Sequence, residues 1–365
     1  MRAYLLIALA TAVVTFGATW LVLKLALKYK IYPEIRERDA HKTPTPRLGG
    51  VAMLIGLFVG VGVAASFGWF RSVFDQPAPI FAILGSALLI SVLGFLDDLY
   101  DLDWTLKLAG QFLAAGILVW QGVQIVSLPI AGVTIGSFGM SMVVSVFLTV
   151  LIMNAVNFID GLDGLVAGVV LIGTTVFFVY TYLLAQRTDP TNYFNLGSMI
   201  SAIVIGMCAG FLPLNWHRAK IFMGDSGALL LGLLMTVGAL SVTGQIDPAT
   251  ISDSQAIPAF LPLVLPLAIL VVPLLDFTLA VLRRLRAGKS PFTADRKHLH
   301  HRLQDFGHGH LGTVLVFYSW TALISGTFLL MFFVPVIWVS VFFTIGLIAC
   351  LGYTAAPVIR KRLNR

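Results

Sequence analysis

Charge is scarce in this chain: 11% of its 365 residues are Asp, Glu, Lys or Arg, where a soluble domain carries about a quarter. Hydrophobic residues make up 58%, and a water-soluble core cannot hide that much apolar surface. Cysteine is scarcer still, with only Cys208 and Cys350, each inside an apolar run. Neither belongs to a CxxC pair or a Cys/His cluster, which excludes a disulfide framework and a cysteine-based zinc site and leaves both as small core residues. No solenoid-type repeat and no separate soluble domain is visible. The net charge of +7 would suit nucleic acid only if the basic residues formed a face on a soluble domain. They lie between apolar runs instead, so no nucleic-acid partner is expected.

What the chain does have is long hydrophobic stretches. At about 20 apolar residues per crossing of a ~30 Å hydrocarbon core, the sequence predicts about eleven spans. They run roughly over 4–27, 49–67, 78–96, 107–125, 138–156, 164–184, 197–213, 226–243, 259–282, 313–332 and 334–355. Runs this continuous suit helices, whose backbone groups are satisfied internally, and not barrel strands. The expected fold is therefore all-α and polytopic, one integral-membrane domain over 1–365. The first run competes with a cleaved signal peptide, but its length and the lack of an A-x-A-like site favour a retained helix.

Lys and Arg fall on alternate connections. Loop 28–48 carries Lys28, Lys30, Arg36, Arg38, Lys42 and Arg47, and the next holds Arg71 alone. Loop 214–225, segment 283–312 and the tail are basic again, whereas 121–137 and 244–258 have no Lys or Arg. Short cytoplasmic loops retain positive charge. The expected orientation has the N-terminus outside and the C-terminus inside, which places the first basic loop, two acidic clusters, loop 214–225 and a His-rich loop on one cytoplasmic face.

Each of these segments carries chemistry. The third span ends in Gly94-Phe95-Leu96-Asp97-Asp98-Leu99-Tyr100-Asp101-Leu102-Asp103. Adjacent acids at a membrane boundary raise each other's pKa unless a cation or proton offsets them. Lys107, at the head of the next span, can partner a carboxylate or a phosphate. In Asn154-Ala155-Val156-Asn157-Phe158-Ile159-Asp160-Gly161-Leu162-Asp163-Gly164, four polar side chains and two glycines interrupt an apolar chain. Oxygen ligands of this kind suit Mg²⁺, more than a bland capping turn requires. Asp225, in Phe222-Met223-Gly224-Asp225-Ser226-Gly227, reads either as a helix cap or as a third cytoplasmic carboxylate for the metal. His298, His300 and His301 with Arg296, Lys297 and Arg302 lack a Cys or a regular H-x3-H pair and look more like donors to phosphate oxygens than a zinc site.

Five stretches together, D-x-H-K-T-P-T-P-R-L-G-G at 39–50, F-L-D-D-L-Y-D-L at 95–102, N-A-V-N-F-I-D-G-L-D-G at 154–164, F-M-G-D-S-G at 222–227 and H-L-H-H-R at 298–302, are similar to the polyprenyl-phosphate N-acetylhexosamine-1-phosphate transferase family. The resemblance covers nearly the whole chain in family order. It is strongest to bacterial undecaprenyl-phosphate N-acetylglucosamine-1-phosphate transferases, and departs from the branch that transfers phospho-MurNAc-pentapeptide, with its G-T-P-T-M-G-G and longer His run.

The resemblance implies a multi-pass protein of the bacterial inner membrane that transfers HexNAc-1-phosphate from a UDP-sugar to undecaprenyl phosphate, releasing UMP. This would be the first membrane step of O-antigen, common antigen or teichoic acid type polysaccharide synthesis. It implies Mg²⁺, with Mn²⁺ as the alternative ion, on Asn157 and Asp225. It assigns the uracil ring to Asp163 and Phe222, the diphosphate to Lys107, His300 and Arg302, and the lipid phosphate to Asp97 and Asp98, one acting as base or nucleophile. His41, Lys42 and Thr45 are expected to line the donor pocket, and Asp160, His298 and His301 to contact substrate. A homodimer is left open. A transporter with membrane-edge acids is the rival class, opposed by the gathering of polar residues on one side. A CDP-alcohol phosphotransferase is opposed by the lack of its D-G-x2-A-R opening.

Overall fold

The computed structural model of the protein describes residues 1–32, 45–125, 137–188, 195–243, 268, 271–286, 288 and 299–363. Among them every regular element is helical: α1 (Arg2–Tyr29), α2 (Gly49–Ser66), α3 (Pro77–Tyr100), α4 (Trp104–Trp120), α5 (Phe138–Phe158), α6 (Leu165–Thr188), α7 (Leu196–Asn215), α8 (Gly224–Thr243), α9 (Val271–Arg286), α10 (Leu299–Asp305), α11 (His310–Leu330) and α12 (Val336–Leu363). Two short helical turns over Gly68–Phe74 join α2 to α3.

Nine of these helices are long and apolar enough to cross a membrane, so the chain is an all-α, multi-pass membrane protein. Two expected spans differ in form. The stretch expected over 107–125 folds as α4, which starts three residues earlier because Asp103 caps it by accepting from the Thr105 amide at 2.8 Å, and which is shorter because it ends at Trp120. Of the span expected over 259–282, residues 259–267, 269 and 270 lie outside the described residues, and the remainder forms α9.

Helix α8 is the axis of the bundle. Of its most apolar stretch 89% is buried, against 11% for the peripheral α12, and it packs on α2, α3, α5 and α7. Helix α1 lies against α2 and α7. Its buried Thr15 and Thr11 meet Gly56 and Gly60 of α2, Thr11 also meets Gly206 of α7, and Gly210 of α7 comes against the α1 backbone at Ala12 and Phe16. Without a hydrophobic drive between helices in lipid, small residues that let backbones approach are what hold such contacts.

The chain runs back and forth so that the joins α1/α2, α3/α4, α5/α6 and α7/α8 fall at one end of the bundle. Among the described residues, that end holds the acidic motifs and most of the Lys and Arg. Cysteines placed at Asp103, Lys220 or Asp305 should therefore react with a membrane-impermeant maleimide only after cells are permeabilised. Cysteines at Ser72 or Gln121 should react in intact cells, and the reverse pattern would invert the orientation.

Candidate active site

At the end of α3 the acidic run divides its labour. Asp101 adopts the left-handed conformation that stops the helix, with φ at 54°, and Asp103 opens α4. The remaining two carboxylates point into the bundle. Asp97, 8% exposed, accepts from the Leu102 amide at 2.8 Å and ion-pairs with Lys107. Lys107 also reaches the Asp225 carboxylate, at 3.6 Å. One ammonium thus bridges an acid from α3 and an acid from α8.

Asp98 lies against the start of α8. It accepts, at 3.3 and 3.5 Å, from the amides of Asp225 and Ser226, where the unpaired amides and the helix dipole favour an anion. This close approach depends on two glycines. A Cβ at Gly94 would strike the backbone of Asp225 and Ser226, and one at Gly224 would strike the Asp98 carboxylate and the Arg47 carbonyl. Gly224 also has φ at +68°, a conformation that costs other residues about 1–2 kcal/mol.

The segment running into α2 is joined to the segment before α8 by backbone hydrogen bonds. Phe222 N–H donates to the Pro46 carbonyl at 2.8 Å, and the Gly49 and Gly50 amides donate to the carbonyls of Phe222 and Met223, both at 2.9 Å. This pairing buries Thr45, leaves Phe222 half-buried, and brings Arg47 beside the acids.

From the α5/α6 turn comes Asp160. Burial pushes its carboxyl up to about 7, the neighbouring Asp225 charge adds to the shift, and Arg47 opposes it. Asn157, one turn earlier, has a buried amide nitrogen without a hydrogen-bond partner. An Asn amide can be turned so that either terminus faces its surroundings, so this side chain can offer its oxygen to an ion. Asp97, Asp98, Asp160 and Asp225 thus share one region with Lys107 and Arg47. A donor set of hard oxygens with an excess of negative charge fits Mg²⁺, which binds through one or two carboxylates and retains waters for substrate oxygens. Asp225, its side chain 31% exposed against 7% for Asp97, is the carboxylate with room to do so.

Asp163 lies three residues after Asp160 in the same turn. Its side chain is fully buried, with Oδ2 accepting from the Ala219 amide at 3.2 Å and facing His217 and His310. Phe222, expected beside it at the uracil ring, is half-buried. Arg302 is exposed on α10, and His300 and His301 belong to the same helix. Their side chains, like His41, Lys42 and His298, lie outside the described residues. Sequence reasoning counted Arg47 only as a marker of orientation and passed over His217 and His310, since nothing local links His310 to Asp163 across 147 residues.

The profile described as Glycosyl transferase family 4 matches residues 80–243, which takes in α3 to α8 and the whole carboxylate cluster. The decaprenyl-phosphate N-acetylglucosaminephosphotransferase of Mycobacterium leprae is 38% identical over 100% of this chain and 92% of its own length. The protein of the same description from Mycolicibacterium smegmatis is 37% identical over 99% and 90%. A probable undecaprenyl-phosphate N-acetylglucosaminyl 1-phosphate transferase of Bacillus subtilis is 35% identical over 82% and 77%.

Two outcomes follow from the geometry. Gly224→Ala should displace the start of α8 and with it Asp225. A misplacement of about 1 Å costs catalysis on the order of 100-fold, so near-normal turnover in this variant would show that Asp98 does not hold α8 in place. Because the Asp160 pKa is raised from 3.8 to about 7, the group is protonated below that pH and gains its charge above it. Mn²⁺ affinity, read from the EPR signal of the free ion, should rise between pH ~6 and ~8 as that proton leaves. Asp160→Asn should flatten the rise, and an unchanged profile would remove Asp160 from the cluster.

Proposed function

Because the chain belongs to glycosyl transferase family 4, we propose that the cluster of α3, α4, α5 and α8 transfers N-acetylglucosamine-1-phosphate from UDP-N-acetylglucosamine to a polyprenyl phosphate. The products are polyprenyl-diphospho-N-acetylglucosamine and UMP. A sugar-phosphate transferase acting on a polyprenyl-phosphate lipid is the coarser statement, and the family membership carries it. The finer one is supported by a single arrangement: a Lys bridging two acids at the polar end of an apolar bundle, with a third acid seated on a helix start. That end is where a lipid phosphate anchored in the bilayer and a nucleotide sugar from the cytoplasm can meet. The protein is a multi-pass protein of the bacterial inner membrane.

In the reaction, an oxygen of the lipid phosphate attacks the β-phosphorus of the nucleotide sugar, and the bond to the UMP oxygen breaks. The attacking oxygen is already anionic at neutral pH, so little deprotonation is needed. Transfer of this kind rests on positioning and neutralisation of charge. Lys107 and Arg47 are the fixed cations for the phosphate oxygens, and the Asp97 carboxylate orients the Lys107 ammonium. Asp98 holds the first turn of α8 and thereby aims Asp225. Asn157 and Asp225 would hold Mg²⁺, with Mn²⁺ as substitute, and the ion when bound neutralises charge on the diphosphate. Phe222 offers a half-buried aromatic face for the uracil ring. The carrier's isoprenoid tail extends into the bilayer, away from this polar end, so its length is not read here. The decaprenyl and undecaprenyl phosphates of the relatives' names present the same headgroup. The lipid-linked sugar so formed would begin a cell-envelope polysaccharide.

Purified protein incubated with radiolabelled UDP-N-acetylglucosamine, polyprenyl phosphate and Mg²⁺ should give a labelled lipid and UMP. Release of UDP, or selective use of UDP-MurNAc-pentapeptide, would overturn the reading. Asp225→Ala and Asn157→Ala should each lower turnover by about a thousandfold, since a hard cation demanding near-octahedral geometry loses an oxygen ligand. Near-normal rates at low Mg²⁺ in either variant would remove that residue from the metal's ligands.

A further inference from the structure

Two side-chain amides meet inside the apolar bundle, below the charged cluster. Gln111 is 3% exposed and is the one polar residue that α4 buries, beside Ala114, Ala115, Leu118 and Val119. Asn154 is half-buried on α5, which packs against α4. Asn154 Nδ2 donates to the Val150 carbonyl of its own helix at 2.8 Å and to Gln111 Oε1 at 2.5 Å. A backbone carbonyl can only accept, so Val150 decides which end of the Asn154 amide faces it. Gln111 must then present its oxygen, and the bond between the helices has a single orientation.

The position of the pair along the two helices gives it a role. Helix α4 starts at the polar end of the bundle and α5 finishes there. Gln111 lies four residues beyond Lys107 on the same face of α4, about 6 Å deeper. Asn154 lies three residues before Asn157 on the same face of α5, about 4.5 Å deeper. The bond therefore sits one turn beneath both residues. Hydrogen bonds between membrane helices contribute little stability on average, and a matched pair of apolar side chains would pack almost as well. What the amides add is direction. Sliding one helix by a single residue would offset the two groups by about 1.5 Å and break the bond, whereas an apolar contact would tolerate the slip.

On the transferase reading above, we propose that Gln111 and Asn154 are positioning residues. Their bond fixes the register of α4 against α5, and through it the spacing between Lys107, the cation for phosphate oxygens, and Asn157, a ligand of the ion. In this role neither amide touches the reacting atoms.

The test compares purified full-length protein in detergent as wild type, Gln111→Leu/Asn154→Leu, Gln111→Asn, and Gln111→Asn/Asn154→Gln, the last keeping the summed length of the two side chains. In the leucine pair kcat should fall on the order of 100-fold, the cost of about 1 Å of misplacement. Its KM for UDP-N-acetylglucosamine and its thermal unfolding midpoint should stay near the wild-type values, because the two amides are lost together and Phe222 lies on another element. Gln111→Asn alone should lose turnover, and adding Asn154→Gln should restore most of it. Mn²⁺ affinity, read from the EPR signal of the free ion, reports the same spacing without substrate. It should weaken about tenfold in the leucine pair, as for other residues that orient a metal ligand, and recover in the swapped pair. Wild-type turnover in the leucine pair, no gain from the second swap, or one Mn²⁺ affinity across the series would overturn the proposal. The swapped series keeps both amides and decides the question even where the leucine pair does not fold. A wild-type protein that binds Mn²⁺ but makes no labelled lipid would refute the transferase reading and leave the Mn²⁺ series to decide the register.

Discussion

Acids from α3, the α5/α6 turn and α8 gathered at one end of an apolar bundle repel one another, and everything else at that end follows from how the repulsion is offset. Lys107 is shared between Asp97 and Asp225. Asp98 is satisfied by the amides and dipole at the start of α8, and Arg47 opposes the accumulated charge on Asp160. Each compensation draws on a different part of the chain, so the cluster cannot form unless α2, α3, α4, α5 and α8 are all in place. An ammonium between two carboxylates also stands where added positive charge is most welcome. It keeps the region assembled without substrate, and phosphate oxygens would offer it a new partner when substrate arrives.

The glycines explain why such an arrangement can be reached at all. The start of α8 comes within van der Waals contact of α3 at Gly94 and of the segment before α2 at Gly50. With side chains at these positions the amides of Asp225 and Ser226 would stand too far from Asp98 to be capped. The central burial of α8 then makes it a rigid post, so the position of Asp225 is set by the bundle core and not by the loop that precedes it.

Much of this was legible in the sequence, for reasons that differ by feature. The spans were legible because a membrane imposes a minimum apolar length, and ten of the expected stretches correspond to helices, most with ends within four residues, the exceptions being α4, which ends five residues early, and α12, which runs eight residues further. The gathering of Asp97, Asp98, Asp160 and Asp225 at one end was legible from the alternation of basic loops. The division of labour between Asp97 and Asp98 was not, because two adjacent acids on a helix differ only in which neighbour they face. The enclosure of Asp163 was invisible for a similar reason: its motif reads as a polar turn, and the groups that close over it, His217, Ala219 and His310, come from distant segments. Arg47 was hidden by abundance, as one of many basic residues in its loop.

The pairing of 46–50 with 222–223 runs through three main-chain hydrogen bonds. Such a joint reads the length of the chain and not its lettering. Side chains along both segments that take no part in the site, unlike Arg47 and Phe222, are free to diverge, apart from the glycines that permit contact, while inserting or deleting one residue on either side would shift every later group by a step. Across related proteins, indels should be absent from this joint, and substitution should be confined to the side chains that take no part in the site.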